Sequence, residues 1–398
     1  MQGLDFVYAL GRDLRYALRS LRASAGLTAV AVVTLAIGCG AATATFAVVE
    51  GVLIKPLPYS AADDLVAVGH VAPGAEGEVW ANAMLTSPSM LYTYADESRV
   101  FEHIGLWVSG TSLITIDGEP EEVPRVAVSG GTLEALGVPP LLGRWFGPED
   151  LAAASSPTAI LSYGYWQRRF GGDPAVIGRT LTGNRTVIGV MAKGFRIADT
   201  EADLFLLMRF DRSTLTLENF SFNAIARLEP GKTVADANAD IARMLPIWLA
   251  SWPPSPGVDP RRYTDVWRIA PAVRPLKQDV VGSAGELLWV VLAAIGVVLL
   301  IAGANVANLM LVRSAARGHE LAIRAALGAG AARLRRGLLI EGALLGLFAG
   351  VLGLAVAAAG VRSLPSFAPA NLPRLSEVAL DARVGALALA VAVLAGLA

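Results

Sequence analysis

Four stretches of this chain carry no charged residue: Ala23–Val49, Leu287–Val312, Gly342–Val361 and Val384–Ala398. A helix rises about 1.5 Å per residue and must cover ~30 Å of hydrocarbon, so about 20 apolar residues span a bilayer. The first three runs meet that length. The fourth holds 15 residues, which reach only about 22 Å, and it reads as a membrane helix cut short within a longer protein. The first run is too long for the apolar part of a secretory signal, roughly 7–15 residues. It also follows an amphipathic stretch, so it reads as an anchor.

The section between the first two runs has a different texture. It alternates short strand-like runs with helical ones and holds seven of the eight Trp. "TAILSYGYWQRRFGGDPAVIGRTL" predicts strand, helix, turn and a second strand, and "TVIGVMAKGF" a strand and a turn. "NAIARLEPGKTVADANADIARML" predicts a strand, a tight turn and an amphipathic helix. The expected fold class is an α-helical membrane protein of four spans, the last truncated. A large α/β extracytoplasmic domain is inserted between spans one and two. The expected segments are a basic amphipathic helix at 1–24, span one at 25–54, the outer domain at 55–284 and span two at 285–312. A cytoplasmic segment at 313–337, span three at 338–362, a short outer loop at 363–382 and the start of span four at 383–398 complete the chain.

Composition supports a membrane setting. The chain is 54% hydrophobic and 17% charged, against about 25% charged in a typical soluble protein, and its mean hydropathy is +0.53. A net charge of −1 gives no general attraction for nucleic acid. Orientation follows from the arginines. Arg12, Arg15, Arg19 and Arg22 precede span one, and Arg313, Arg317, Arg324, Arg333, Arg335 and Arg336 lie between spans two and three. Short Lys/Arg-rich loops stay cytoplasmic, so both segments face inside and the large domain faces outside. Cys39, the one cysteine, lies within span one, which leaves that domain without disulfides.

Candidate chemistry is sparse. His70, His103 and His319 are far apart, and no spacing resembles a metal site. No nucleophile elbow, zinc-protease helix or dinucleotide fingerprint occurs, so no catalytic, cofactor or metal residue is expected. "ARLEPGKT", Ala226 to Thr233, ends like a phosphate-binding loop. It has Ala226 where the first glycine belongs, and Glu229 and Pro230 bring a negative charge and a missing N–H where amides must face a phosphate, so a strand-to-helix turn is expected. Asn305 and Asn308, three apart on span two, read as interhelical hydrogen-bonding groups. No Asp, Glu or Lys lies mid-span to carry an ion relay.

The segment "RSAARGHELAIRAALGAGAARLRRGLLIEG", Arg313 to Gly342, is the remaining candidate. Leu321, Ile323, Ala326 and Leu327 accompany Glu320 and Arg324, an i,i+4 pair in the favourable order, and "GAG" at Gly328–Gly330 breaks the helix. Such a segment is either an interfacial helix that obeys the charge rule or a docking handle for a cytoplasmic partner.

"NVANLMLVRSAARGHELAIRAALGAGAARLRRGLLIEGALLGLFAGVLG" closely resembles the permease signature of the FtsX/MacB superfamily of ABC transporters. "DLRYALRSLRASAGLTAVAVVTLAIGCGAATATFAVVEGVLIKPLPY" is similar to the amphipathic helix and first span of the acidobacterial-type duplicated permeases. "VSGGTLEALGVPPLLGRWFGPED" and "YGYWQRRFGGDPAVIGRTL" resemble their periplasmic core domain. Members often carry an Asn and aromatics where this chain has "GGTLEAL", and usually hold two permease halves where this chain holds at most one.

The resemblance implies a permease subunit in the bacterial inner (plasma) membrane, N-terminus cytoplasmic, that couples hydrolysis on a separate ATPase dimer to movement of the outer domain for efflux or export. Glu320, Leu321, Ile323 and Arg324 would contact the ATPase, with Gly328 and Gly330 as a hinge. ATP and magnesium would sit on the ATPase, and no cofactor on this chain. A second permease half, membrane lipid and a periplasmic adaptor or enzyme are the other implied partners; nucleic acid is not. An FtsX-like regulator of a periplasmic enzyme, or an envelope-binding protein with no ATPase, are the alternative functions.

Overall fold

The computed structural model describes residues 2–116, 119–152, 154–282, 284–316, 331–367, 374 and 377–397. They form two compact units, Met1–Lys55 with Ser283–Ala398, and Pro56–Gly282. The chain opens with α1 (Gln2–Ala23) and α2 (Ala25–Val49). Ser24, at φ −120° and ψ 52°, leaves helical geometry and separates them. A π-helical turn, Glu50–Ile54, closes α2.

The inserted unit is α/β. Its strands are β1 (Leu65–Val68), β2 (His70–Val71), β3 (Phe101–Ile116), β4 (Glu119–Val128), β5 (Leu142–Gly143), β6 (Thr158–Leu161), β7 (Thr180–Leu181), β8 (Arg185–Val190), β9 (Leu204–Leu207), β10 (Asn223–Leu228), β11 (Ala270–Pro271) and β12 (Arg274–Pro275). Its helices are α3 (Pro88–Glu97), α4 (Thr132–Leu136), α5 (Pro148–Leu151), α6 (Tyr163–Phe170), α7 (Val234–Ser251) and α8 (Leu276–Val281). One mixed sheet runs β12-β1-β10-β3-β4-β9-β6-β8-β5, with β7 on β8, while β11 and β2 pair apart. The β4–β9 and β6–β8 pairs are parallel and the others antiparallel.

The sheet is apolar on both faces because helices cover both, which is why β1 and β6 are buried at every position. Alternation then sorts side chains. Leu65, Trp107, Val126, Phe205 and Ile160 share one core with Leu133 and Leu136 of α4. Val66, Leu106 and Ala226 point the other way, into a core with Met90 and Tyr94 of α3 and Ile241 and Trp248 of α7. On that second face, Leu161, Val187 and Leu204 pack with Tyr165 and Trp166 of α6.

Local chemistry sets the helix ends. Ser87 and Ser162 cap α3 and α6 by accepting the Met90 and Tyr165 amides, and Gly171 ends α6 at φ +61°. Thr233 and Asp236 form a capping box on α7. The glycine in "GGTLEAL" meets a steric demand. Gly131 stands at φ +87°, and a Cβ there would collide with the Ile104 carbonyl. That close approach lets Thr132 Oγ1 donate to the Leu106 carbonyl at 2.8 Å and docks α4 on β3.

After the inserted unit come α9 (Ala284–Ala316), α10 (Ala331–Phe367) and α11 (Ala382–Leu397). Three segments are long and apolar enough to cross a membrane: Ala25–Ile54, Ala284–Arg313 and Arg336–Leu364; α11 is apolar but shorter. Lipid offers no hydrophobic drive between helices, so close backbone approach matters. At the α2–α10 crossing, a Cβ on Gly40 would lie 2.9 Å from the Gly353 carbonyl oxygen. Asn305 and Asn308 correct the sequence reading. Both side chains are exposed, on a face of α9 turned away from the other described helices, so the interhelical bonds expected of them are not formed within this chain's described residues.

Candidate functional site: the charged junction at the ends of α9 and α10

The functional candidates Glu320, Leu321, Ile323, Arg324, Gly328 and Gly330, and His319 with them, lie outside the described residues. The structure does show the helices that carry this segment, α9 on one side and α10 on the other.

Arg313, near the end of α9, and Glu341, in the first part of α10, form an ion pair at 3.8 Å with side chains only 7% and 6% exposed. The Arg313 guanidinium also donates to the Ser20 carbonyl and, at 3.0 Å, to the Ser20 hydroxyl on α1. Seven residues earlier on α1, Asp13 meets Arg336 of α10 at 3.3 Å. Beside those contacts, Ala17 and Leu21 are buried with Leu345 of α10 and Leu35 of α2. Three helices are therefore tied where the candidate segment begins and ends. Charge is retained in such a place only when paired, since desolvating a lone ion costs several kcal/mol.

A second polar knot is made by Arg374 and Glu377, beyond α10 in the chain. Arg374, 1% exposed, donates to the Val52 and Lys55 carbonyls at 3.1 and 2.9 Å and pairs with Glu377. These carbonyls belong to the last turns of the first apolar segment, where the chain leaves for the inserted domain. Gly51 accommodates the loop closely: a Cβ there would lie 3.2 Å from the Glu377 carbonyl oxygen and the Val378 backbone.

In the inserted unit, the phosphate-loop look-alike is the expected strand-to-helix turn. Gly231 takes φ +82°, and Asp236 Oδ2 accepts from the Thr233 amide at 2.8 Å and from its hydroxyl at 2.7 Å. Those hydrogen bonds hold Asp236 below the usual carboxylate range. His70 is wholly buried, with Nε2 2.7 Å from the Tyr94 hydroxyl, while His103 lies partly exposed 4.0 Å from Glu102. No cluster of His, Cys, Asp and Glu suited to a metal ion occurs among the described residues. Arg168 and Arg196 line a cleft of about 320 Å³ and are already paired, with Asp203, and with Asp199 and Glu201.

Sequence reasoning did not single out Ser20, Glu341 or Arg374. The lone acid opening an otherwise apolar run was the only signal for Glu341, and the other two carry none.

Three helices long and apolar enough to cross a membrane, with an α/β domain between the first and the second, are the layout of a multi-pass membrane protein. The MacB-like periplasmic core domain model matches residues 28–244, more than half of the chain, and the FtsX-like permease C-terminal model matches 292–398. The chain belongs to this MacB/FtsX family of ABC-type permeases. Among solved structures, the extracellular domain of the noncanonic ABC-type transporter YknZ from Gram-positive bacteria is similar at 14% identity and TM-score 0.34, over 46% of this chain and 92% of that one. The periplasmic region of MacB from Actinobacillus actinomycetemcomitans is similar at 9% identity and TM-score 0.38, over 58% and 93%. No curated protein matches the chain.

Proposed function

We propose that this chain is the permease subunit through which a separate cytoplasmic ATPase dimer drives the outer domain, for efflux or export across the bacterial inner membrane. The observation that carries this reading is the junction of Arg313, Glu341 and Ser20. A segment pushed by a partner moves the spans only if its two ends are fixed to them. The buried ion pair and the α1 contacts supply that fixing, so a displacement at 317–330 passes into α1, α9 and α10 together. Glu320, Leu321, Ile323 and Arg324 make the ATPase contact, and Gly328 and Gly330 form the hinge. ATP and magnesium are held by the ATPase. No acidic group or lysine stands mid-span to carry ions, which suits transmission of movement better than passage of charge between helices.

The test is a detergent pull-down of the protein from its own host, assayed for bound ATPase activity. The wild type should retain an ATPase, and Glu320→Lys with Leu321→Asp should lose it while the membrane protein still melts as before. An undiminished ATPase on that variant would remove the coupling assignment.

A further inference from the structure

Helix α1 has a face that the contacts above leave unused. At about 100° per residue, Arg12, Arg15, Arg19 and Arg22 fall within an arc of about 80°. All four are exposed, and none has an ion-pair partner among the described residues. The centre of that arc lies opposite Ala17, Ser20 and Leu21, the buried side by which α1 packs on the other helices.

The depth of α1 follows from its two polar contacts. Ser20 touches Arg313, the last residue of one membrane-length segment, and Asp13 touches Arg336, the first residue of the next. Both limits mark where apolar helix gives way to charge, and they are about 10 Å apart along α1. The helix therefore runs across these ends at headgroup level. Leu14 and Tyr16 flank the arginines on either side and are 40% and 37% exposed. Basic residues bordered by exposed apolar ones are the composition of a helix that rests in a membrane interface.

We propose that this arginine face is a binding site for anionic phospholipid headgroups of the leaflet beside it. Arginine forks match phosphate bidentately, and four in one row at the interface add up, each strengthening attachment to an anionic surface about fivefold at low salt. The lipid fixes the outer side of α1 while Arg313 and Arg336 fix the inner side, which holds the helix to the membrane plane. The site uses none of the residues assigned to the ATPase contact.

The experiment uses the full chain in nanodiscs of phosphatidylcholine, with or without phosphatidylglycerol. Hydrogen exchange along α1 and the phosphatidylglycerol retained in native mass spectra are the readouts. Phosphatidylglycerol should slow exchange in α1, and added salt should reverse the effect. Replacing Arg12, Arg15, Arg19 and Arg22 by Gln should abolish the lipid dependence with the melting of the other helices unchanged, and the all-Lys variant should keep most of it. Equal exchange in both lipids, or a Gln variant that still responds to phosphatidylglycerol, overturns the proposal. A Gln variant that retains phosphatidylglycerol normally but loses the ATPase also overturns it, and assigns the face to a protein partner.

Discussion

His70 shows how one residue links packing to pH. Its ring is buried between sheet and helix with a single partner, the Tyr94 hydroxyl, and Nδ1 has none. Burial lowers its pKa from 6.5 to about 4, because a buried imidazolium has lost its water without gaining a counter-charge. Between those values the unfolded chain takes up a proton that the folded domain refuses. Stability is therefore fully present above pH 6.5 and falls as pH drops toward 4, by up to about 3 kcal/mol from this group. Denaturant melts of the isolated outer domain at pH 7 and pH 4.5 should show that loss, and His70→Phe should flatten the difference while leaving a weaker fold at pH 7. An equal pH response in the variant would assign the loss elsewhere. Arg227 is a contrasting buried group: it donates to the Ala135, Ser60 and Ala61 carbonyls, so its charge is satisfied by backbone oxygens.

Among elements, α1, α9 and α10 depend on one another through the Arg313–Glu341 pair. Removing one partner of a buried pair costs roughly 3–5 kcal/mol, because the other is left charged and unsolvated. Glu341→Arg sets two cations together and is expected to lower the melting temperature in detergent sharply. Adding Arg313→Glu restores an opposite pair and should recover most of it. A double variant as weak as the single one would show that the pair is not the tie between the helices. Elements of the outer domain differ in how far they can be read locally. "KTVADANADIARML" gives α7 with its capping box because cap and helix are adjacent in sequence. The position of α4 depends on Gly131 fitting under the Ile104 carbonyl, a contact between segments 27 residues apart in sequence.

For the whole molecule, the prediction concerns sidedness. Lys232 is exposed on the turn before α7, and the one native cysteine, Cys39, is 3% exposed. Lys232→Cys should react with a membrane-impermeant maleimide in intact spheroplasts, whereas Arg15→Cys should react only after permeabilisation. The reverse pattern would invert the orientation drawn from the arginines. Opposite sides for Lys232 and Arg15 are what an odd number of crossings between them requires, and α2 is the membrane-length helix in that interval among the described residues.

The sequence by itself determined the membrane character, the outlines of three long apolar helices, the inserted α/β domain and the family, because charge-free runs, strand and helix periods and contiguous motifs are local signals. It also excluded the phosphate loop at Ala226–Thr233, since Pro230 and Glu229 deny a phosphate the amides it needs. The tertiary structure alone decided which charges meet. Arg313 with Glu341, His70 with Tyr94, and Arg374 with Val52 and Lys55 are each far apart in sequence, and their pairing depends on helices and loops already packed. It also decided that Asn305 and Asn308 point outward, for two residues three apart share a helix face whichever way that face turns, and only the neighbours settle the direction.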